Sequence, residues 1–374
     1  MRIAVNTRLL LKDRLEGIGQ FTYETLRRIT KAHPEHHFFF LFDRKFDDSF
    51  LFSDNITPVV AHPQARHPYL WYLFFECGVP LRIKNIKPDL FLSTDGWIPT
   101  QLDIPVVNVI HDLNFLHHPE FVPPVVRRYY DRFFPKFARN ATQLATVSEY
   151  SRNDIVQSFD VSPDKVDVVF SGNNPAYKPL TVEQQDEVKR KYTDRCDFFL
   201  FVGLIHKRKN LENLFRAFDS FKERISSTTK LVVVGDKKWW AGEIEDTYLK
   251  MRHRDEVRLL GRQPLDVVCE LTASAVAMVY PSFFEGFGLP IVDSFNAQVP
   301  IITSNVTAMP EIAGDAAILV DPYQPDQLAD ALCDLQQDKG LRNALIEKGF
   351  ARKELFTWDR TADLLWKTIE KTLP

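Results

Sequence analysis

The sequence has few cysteines and no long apolar run. Its 374 residues include four cysteines, Cys77, Cys196, Cys269 and Cys333, which are widely separated and form no Cys-x-x-Cys pair. This spacing argues against a disulfide framework or a cysteine metal site, and we interpret the four as reduced thiols. Nowhere is there a run of about 18 apolar residues, the length that a spanning helix needs. Residues 2–5 resemble a strand and not a signal sequence, so we expect a cytoplasmic protein.

The sequence also lacks an excess of charge of either sign. It has 47 Lys and Arg residues against 50 Asp and Glu residues, and a formal net charge of −3. A protein that binds nucleic acid through its overall field is basic, so we expect no nucleic-acid partner. With 45% hydrophobic and 26% charged residues, the composition is that of a globular protein, and the length suits two domains.

Short apolar segments alternate with helical patterns along the chain. Residues 2–5, 37–42, 106–110 and 198–202 have the composition of buried strands. Alternation of this kind predicts an α/β fold with doubly wound, parallel sheets. Turn-forming residues from 171 to 175, followed by Lys178-Pro179-Leu180, indicate a hinge. We therefore predict one domain from 1 to 178 and a second from 179 to 374.

Residues 280–293 have the pattern of a strand end, a glycine loop and a helix opened by Pro290 in its first position. The glycines allow a ligand to approach the backbone, and the helix directs N–H groups at it, which favours an anion. Glu285 lies in this loop and Asp293 about one turn into the helix. Carboxylates beside a phosphate site suit sugar and ribose hydroxyls. The alternative is that Glu285 interacts with the helix dipole and Asp293 is solvated.

Two further loops have residues that suit a diphosphate. Lys207, Arg208 and Lys209 follow the strand at 198–202, and such cations can hold phosphates without a metal. Gly17-Ile18-Gly19 lies between the first strand and a helix, as in a Rossmann-like half. The alternatives are a solvated basic loop and a simple turn.

His111 directly follows the predicted strand 106–110. Ligands collect at the carboxyl ends of strands in such sheets, so His111 is a candidate site residue, the alternative being a structural histidine. Residues 124–140 are predicted to form a helix that alternates aromatic and basic residues. This pattern suits an anionic bilayer surface, or equally a helix with its aromatic face on the core and its basic face in solvent.

These motifs resemble those of glycosyltransferase family 4. Glu285 and Asp293 are similar to the two acidic residues of the family's Glu-x7-Glu signature, with Asp in place of the usual second Glu. His111-Asp112-Leu113 and Arg208-Lys209-Asn210 also match family segments, although Leu204 stands where some members have Arg. The resemblance implies a GT-B fold, in which two Rossmann-like domains face a central cleft and a last helix, about 359–371, crosses back to the first domain.

The resemblance also implies residue roles. It makes His111 and Glu285 the catalytic residues, which contact the transferred sugar together with Gly286 and Phe287. It assigns the ribose to Asp293 and the base to Gly261 and Arg262. The donor phosphates would be held by Gly17, Gly19, Arg208, Lys209, Gly288 and Leu289. No metal and no other cofactor is implied.

The function implied is retaining transfer of a sugar from a nucleotide diphosphate sugar to a hydroxyl of a glycan or lipid-linked saccharide, in cell-surface polysaccharide biosynthesis. GDP-mannose is the favoured donor, and UDP- or dTDP-linked sugars remain alternatives. A non-catalytic nucleotide- or carbohydrate-binding protein and a sugar-nucleotide epimerase are alternatives of other classes. The expected location is the cytoplasm, with peripheral contact at the inner face of an anionic membrane left open.

Overall fold

The computed structural model describes residues 1–12, 15, 17–236, 240 and 242–372. The chain forms two compact units: unit 1 comprises residues 1–172 and 357–374, and unit 2 comprises residues 173–356. The predicted boundary was 178, but residues 173–177 belong to unit 2 because their polar groups bond there. The backbone N–H of Asn173 donates to the Phe356 carbonyl at 2.9 Å, and Asn296 Nδ2 donates to the Asn174 carbonyl at 3.0 Å.

Unit 1 contains a seven-stranded, wholly parallel sheet with the strand order β3-β2-β1-β4-β5-β6-β7. Several strands are apolar on both faces, which a parallel sheet covered by helices on both sides requires; the consecutive residues Ile3, Ala4 and Val5, for example, are fully buried. The strands are β1 (Arg2–Asn6), β2 (His37–Phe42), β3 (Ile56–Val60), β4 (Leu90–Ser93), β5 (Val106–Val109), β6 (Gln143–Thr146) and β7 (Val166–Val168).

Helices connect these strands and cover the sheet. They are α1 (Ile18–Ala32), α2 (Pro68–Leu73), α3 (Val79–Ile86), α4 (Asn114–His117), α5 (Pro124–Asn140) and α6 (Glu149–Phe159), with a π-helical turn at Phe74–Gly78. Single 3₁₀ turns are at Asp48–Phe50, Pro119–Phe121 and Pro163–Lys165. The predicted helix at 124–140 is confirmed.

Unit 2 has a six-stranded parallel sheet with the order β10-β9-β8-β11-β12-β13. Its strands are β8 (Phe198–Val202), β9 (Lys230–Val234), β10 (Val257–Gly261), β11 (Ala277–Tyr280), β12 (Ile301–Ser304) and β13 (Ile318–Val320). Two such sheets confirm the predicted α/β class with two Rossmann-like domains.

The helices described in unit 2 are α7 (Val182–Tyr192), α8 (Leu211–Arg224), α9 (Glu243–Lys250), α10 (Leu265–Ser274), α11 (Leu289–Ala297), α12 (Met309–Ala313), α13 (Pro325–Gln337) and α14 (Lys339–Arg352). Its 3₁₀ turns are Lys207–Lys209, Arg254–Glu256 and Lys353–Leu355. Helix α8 packs on α13, and α11 on α14, around an apolar core that includes Phe199, Phe215 and Leu332.

The last helix, α15 (Trp358–Glu370), belongs to unit 1 although it follows unit 2 in the sequence. It packs on α1 and reaches β6, and the buried Trp358 and Trp366 lie on it. Lys371 Nζ, directly after α15, lies 2.6 Å from Asp167 Oδ1. Nowhere in the described part of the chain is a helix both long and apolar enough to cross a bilayer.

The strand order determines where a ligand site can form. In unit 1 the strand β1 lies between β2 and β4, and in unit 2 the strand β8 lies between β9 and β11. The sheet grows outward from these points in both directions along the strand order. The loops that follow the two central strands, β1 and β4 in unit 1 and β8 and β11 in unit 2, therefore turn to opposite sides and leave a crevice between them. The residues that follow β8 and β11 are therefore neighbours in space, although some 75 positions separate them in the sequence.

Two glycines hold the loops after β8 and β9 at close approach, which gives a test of this packing. A Cβ on Gly235 would lie 1.9 Å from the carbonyl oxygen of Gly203, whereas a Cβ on Gly203 would meet nothing nearer than the Phe201 ring at 3.5 Å. We expect Gly235→Ala to lower the free energy of unfolding by about 1–3 kcal/mol. Gly203→Ala is the matched control and should change it little. Equal denaturation midpoints for the two variants would contradict the close approach.

Candidate functional site

The loops after β8 and β11 form the centre of the site in unit 2. They are joined by the backbone N–H of Phe283, which donates to the Arg208 carbonyl at 2.9 Å. Asn210, in the left-handed region with φ of 60°, also donates from Nδ2 to the Pro281 carbonyl at 3.0 Å. The first loop is thereby fixed against the second, and the side chains of both point into one small region.

Arg208, Lys209 and Glu285 form a buried cluster of charges in that region, which we call the ion cluster. Lys209 Nζ lies 2.6 Å from Glu285 Oε1, and Arg208 Nη1 lies 2.7 Å from Glu285 Oε2. Lys209 Nζ also donates to the Tyr280 hydroxyl at 2.6 Å. The Glu285 and Lys209 side chains are only 10% and 11% exposed. Interpreting Lys209 as part of a solvated basic loop is therefore wrong.

The electrostatics of the ion cluster keep Glu285 ionised. Burial alone would raise its pKa, but the charges of Arg208 and Lys209 more than offset this, and the pKa of Glu285 falls to about 2. Two cations and one carboxylate leave the ion cluster with a net positive charge near neutral pH. A buried group of this charge suits an anionic ligand that also offers hydroxyls.

Helix α11 begins beside the ion cluster and provides backbone donors. Gly288 precedes it with φ of +97°, and a Cβ there would lie 2.9 Å from Ile291 Cδ1, so glycine is required. The helix starts at Leu289, which places Pro290 in its second position and not the predicted first. The first N–H groups of a helix have no partner within it and favour anions.

Gly286 and Phe287 complete the loop between Glu285 and α11. Both are buried, and the ring of Phe287 packs on Phe356 with ring centroids 5.5 Å apart. The aromatic side chain therefore belongs to the core of unit 2. A ligand beside this loop would meet the backbone of Gly286 and Phe287, so their identity matters mainly for the path of the chain.

Asp293 lies on α11, one turn beyond its start, but faces a different environment from Glu285. Its Oδ1 accepts a hydrogen bond from the backbone N–H of Asn174 at 3.2 Å. Burial raises the pKa of Asp293 to about 7, and this N–H only partly opposes the increase. The interpretation of Asp293 as a solvated carboxylate is thus wrong. Its role toward ribose stays a prediction.

Gly261 and Arg262 lie at the carboxyl end of β10, which is the same edge of the sheet. The carbonyl of Gly261 accepts from the Gly235 N–H at 3.0 Å, while Arg262 is exposed. One strand, β9, lies between β10 and β8 in the sheet order, so Gly261 and Arg262 flank the ion cluster at one side. The structure thus groups all the unit 2 candidates along one sheet edge.

In unit 1, His111 lies at the carboxyl end of β5, and its surroundings determine its tautomer. Its Nε2 lies 2.9 Å from the Thr94 carbonyl, which can only accept, so Nε2 carries the proton and Nδ1 is left as an acceptor. Burial lowers the pKa of His111, against the effect of the Thr94 carbonyl. At neutral pH the ring is therefore uncharged, and it can accept a hydrogen bond from a hydroxyl.

The predicted glycine loop of unit 1 is close to His111. Gly17 precedes α1 with φ of 37° and open space around it, and Gly19 packs against the Leu9 carbonyl, which a Cβ would approach to 3.0 Å. From the next turn of α1, Phe21 places its ring edge on His111, with centroids 4.9 Å apart. The loop and the histidine thus lie at the same edge of the unit 1 sheet.

Sequence reasoning missed several residues that hold these groups in place. Tyr280 bonds Lys209, Thr307 Oγ1 accepts the Glu285 N–H at 3.2 Å, and the carbonyl of Thr94 orients His111. Tyr280 directly follows the apolar run 273–279, which is predicted to be a strand, and this was a usable signal. Thr307 and Thr94 gave no such signal. Thr307 lies in a different loop from Glu285, and Thr94 acts through its backbone carbonyl.

The pKa values of Asp293 and Glu285 are shifted in opposite directions, so we predict opposite dependences of stability on pH for the two carboxylates. The raised pKa of Asp293 means that stability is lost as the pH rises from about 4 to 7, because ionisation becomes costly only in the folded state. We expect Asp293→Asn, compared with the unaltered protein, to gain stability progressively over this interval. The measurement is the urea midpoint between pH 4 and 8. A constant difference would contradict the raised pKa.

Glu285→Gln is the matched comparison. The lowered pKa of Glu285 contributes stability that is present above about 4.5 and is lost as the pH falls toward 2. The loss of stability in this variant should therefore be greatest above pH 4.5 and should shrink in acid, which is the reverse of the trend for Asp293→Asn.

Sequence models of two families match the chain and together cover most of it. The model described as Glycosyltransferase Family 4 matches residues 15–177, within which His111 lies. The model described as Glycosyl transferases group 1 matches residues 182–352, which contain the ion cluster and α11.

Curated relatives and solved structures agree with these matches. The O-antigen chain mannosyltransferase B of Escherichia coli is 25% identical over 360 residues, covering 93% of this chain and 94% of its own. The O-antigen chain mannosyltransferase RfbU of Salmonella typhimurium is 22% identical over 285 residues, covering 76% and 75%. Alr3699/HepE of Anabaena, solved with UDP and glucose, has a TM-score of 0.76 at 15% identity over 99% of both chains, which shows the shared GT-B fold. The chain is therefore a glycosyltransferase with a Glycosyltransferase Family 4 domain followed by a Glycosyl transferases group 1 domain, and it is similar to the bacterial mannosyltransferases of O-antigen synthesis.

Proposed function

We propose that this glycosyltransferase moves mannose from GDP-mannose to a hydroxyl of a glycan or lipid-linked saccharide, with retention of anomeric configuration and without a bound metal. The proposed setting is cell-surface polysaccharide biosynthesis, as the names of the two mannosyltransferase relatives suggest. The observation that carries the proposal is the buried ion cluster at the start of α11.

The ion cluster suits departure of a nucleotide diphosphate. Negative charge develops on the leaving diphosphate as the glycosidic bond breaks, and fixed cations and helix N–H groups stabilise it. Arg208 and Lys209 supply the cations, while Gly288 and Leu289 open the helix that supplies the N–H groups. These groups can take the place of a metal ion, so we expect chelators to leave the initial rate unchanged.

Glu285 is proposed to accept hydrogen bonds from the hydroxyls of the transferred sugar. It is ionised and already positioned by Lys209 and Arg208, so sugar binding requires little reorganisation. Uncharged His111 is proposed to accept a further sugar hydroxyl at Nδ1. Gly17 and Gly19 are proposed to let the donor phosphates approach the backbone of unit 1, with Asp293 on the ribose and Gly261 and Arg262 at the base.

The identity of the donor is the most specific part of the proposal. GDP-mannose is favoured by the two mannosyltransferase relatives. UDP-linked sugars are the main alternative, because Alr3699/HepE, which has the same fold, was solved with UDP and glucose. A non-catalytic binding protein of the same fold is less well supported, since such a protein has no need for a buried, ionised Glu285 paired with two cations.

We also propose that α5 contacts an anionic membrane, which would bring the enzyme to a lipid-linked acceptor. Tyr129, Phe134 and Phe137 are buried in the core of unit 1, as the structural interpretation of this helix predicted. The opposite face exposes basic side chains. Two of them, Arg132 and Lys136, lie over Phe133, each 5.7 Å from the ring centroid, and Phe133 touches the exposed Tyr72 of α2. Exposed aromatic and basic groups together suit a lipid headgroup region.

Glu285→Gln tests the catalytic part of the proposal. The amide keeps the shape of the side chain but loses its charge, which should lower kcat roughly 10²-fold or more. Steady-state kinetics with GDP-mannose measure the change. The control is Glu347→Gln on α14, an exposed glutamate of the same unit, which should be fully active. Near-normal turnover by a correctly folded Glu285→Gln variant would exclude the assigned role.

A thermal-shift panel tests the donor. A ligand that binds only the folded state stabilises it by roughly 2.7 kcal/mol at a hundred times its Kd. We expect GDP and GDP-mannose to raise the unfolding temperature most, and UDP, UDP-glucose and dTDP-rhamnose to raise it less. A shift with UDP and none with GDP would overturn the mannosyl assignment and leave the general assignment as a glycosyltransferase.

Vesicle sedimentation tests the membrane proposal. Attraction to an anionic surface is worth about 1 kcal/mol for each basic residue and is screened by salt. We expect binding to anionic vesicles at low salt, and loss of binding in the triple variant Arg128→Glu, Arg132→Glu, Lys136→Glu. Binding that is equal for neutral and anionic vesicles would leave only the structural interpretation of α5.

The control is a second triple variant with the same change in net charge at exposed lysines elsewhere. These substitutions are Lys250→Glu, Lys339→Glu and Lys367→Glu. The control should bind as the unaltered protein does, and loss of binding in both variants would show that overall charge, and not the face of α5, decides the result.

A further inference from the structure

A second group of polar side chains lies in unit 1, in the short connection between α1 and β2. It consists of His33, Glu35 and His36, whose ligand atoms all lie within 4.8 Å of one another. We propose that these three side chains bind one Zn²⁺ ion, with water completing the coordination.

Two of the three separations between ligand atoms are close to those around a tetrahedral ion, and the third is within 4.8 Å. His33 Nδ1 lies 3.6 Å from Glu35 Oε1, and His36 Nε2 lies 3.2 Å from the same oxygen. Ligand atoms at the usual 2.0–2.1 Å from tetrahedral zinc are separated from each other by roughly 3.3 Å. The ion therefore needs only small movements of side chains that already converge.

The side chains are held in this arrangement by neighbours outside the group. The ring of His33 stacks on Trp366 of α15, with centroids 3.6 Å apart, and that of His36 stacks on the same indole at 5.2 Å. These contacts fix the planes of both imidazoles. A site whose ligands are already oriented loses less entropy when it binds an ion.

The backbone of the connection is fixed as well. Asn55 Nδ2 lies within hydrogen-bond distance of the carbonyls of Thr30, His33 and His36, at 3.0, 3.1 and 3.0 Å. One amide thus holds the end of α1 and both histidine positions. His36 Nδ1 accepts from the Met1 amino group at 3.1 Å, which puts the ring proton on Nε2 beside Glu35. A Zn²⁺ ion at Nε2 must displace this proton, so binding releases a proton.

The choice of zinc follows from the ligand types. Two imidazole nitrogens and one carboxylate oxygen suit Zn²⁺, whereas Mg²⁺ prefers oxygen ligands in octahedral geometry. Glu35 is 59% exposed on its side chain, so an ion can enter from solvent and keep a water ligand.

The position of the group separates it from the proposed chemistry of transfer. His33, Glu35 and His36 precede β2 and so lie at the amino ends of the parallel strands, whereas His111 follows the carboxyl end of β5. The ion would stabilise the connection from α1 to β2 against α15. This proposal does not depend on the identity of the donor or on any step of sugar transfer.

Calorimetric titration of metal-free protein with Zn²⁺ tests the proposal. We expect one ion to bind, and His33→Phe and Glu35→Gln each to weaken its affinity at least ~10-fold. Phe keeps an aromatic ring on Trp366 and Gln keeps the shape of the exposed Glu35, so both variants should fold. The control is His37→Ala, which removes the next histidine, whose Nε2 bonds Thr57 and lies outside the group. It should bind Zn²⁺ unchanged.

Substitution with Co²⁺ identifies the ligands, because tetrahedral cobalt has strong visible absorption. We expect these bands in the unaltered protein and in His37→Ala, and not in His33→Phe or Glu35→Gln. Binding that survives in both of these variants would overturn the proposal, as would a cobalt spectrum with sulfur charge-transfer bands, which would place the ion on a cysteine. A lack of binding by Zn²⁺ at micromolar to millimolar concentrations would overturn it as well.

Discussion

The arrangement of unit 2 depends on one buried carboxylate. Glu285 lies almost out of reach of water, where an unpaired charge costs several kcal/mol, and it stays ionised only because Lys209 and Arg208 are in contact with it. Those cations come from a loop far away in the sequence. The contact can form only if β8 and β11 are neighbours, so the polar site and the strand order require each other.

The same requirement explains why so many loop contacts involve backbone groups. Phe283 bonds Arg208, Asn210 bonds the Pro281 carbonyl, and Gly235 approaches Gly203 so closely that no side chain fits. Hydrogen bonds to backbone carbonyls fix the two loops against each other, independently of the ion cluster. A pair of buried charges needs such a frame, because small displacements would weaken the attraction while the cost of removing both groups from water stayed the same.

The sequence predicts the two sheets, the site loops and the candidate residues, because apolar runs, glycines and a spaced acidic pair are local signals. It does not predict which groups pair. That Lys209 bonds Tyr280, or that Asp293 faces Asn174, depends on side-chain directions across long sequence distances. The division at 172 was missed for the same reason, since Asn173 bonds to Phe356. The position of Pro290 differed by one residue, which pattern alone cannot resolve.

The two acidic residues of the signature differ because their neighbours differ and not because of their spacing. Glu285 has two cations and is ionised, whereas Asp293 has one backbone N–H and a raised pKa. A ligand that brings a diphosphate to Arg208 and Lys209 would compete with Glu285 for the same cations. The sugar hydroxyls of the ligand would then have to replace part of the hydrogen bonding that Glu285 loses. In the proposed site, binding of the sugar and binding of the phosphates would therefore be coupled through one carboxylate, and a nucleotide without its sugar would leave Glu285 with fewer hydrogen bonds than a complete donor would.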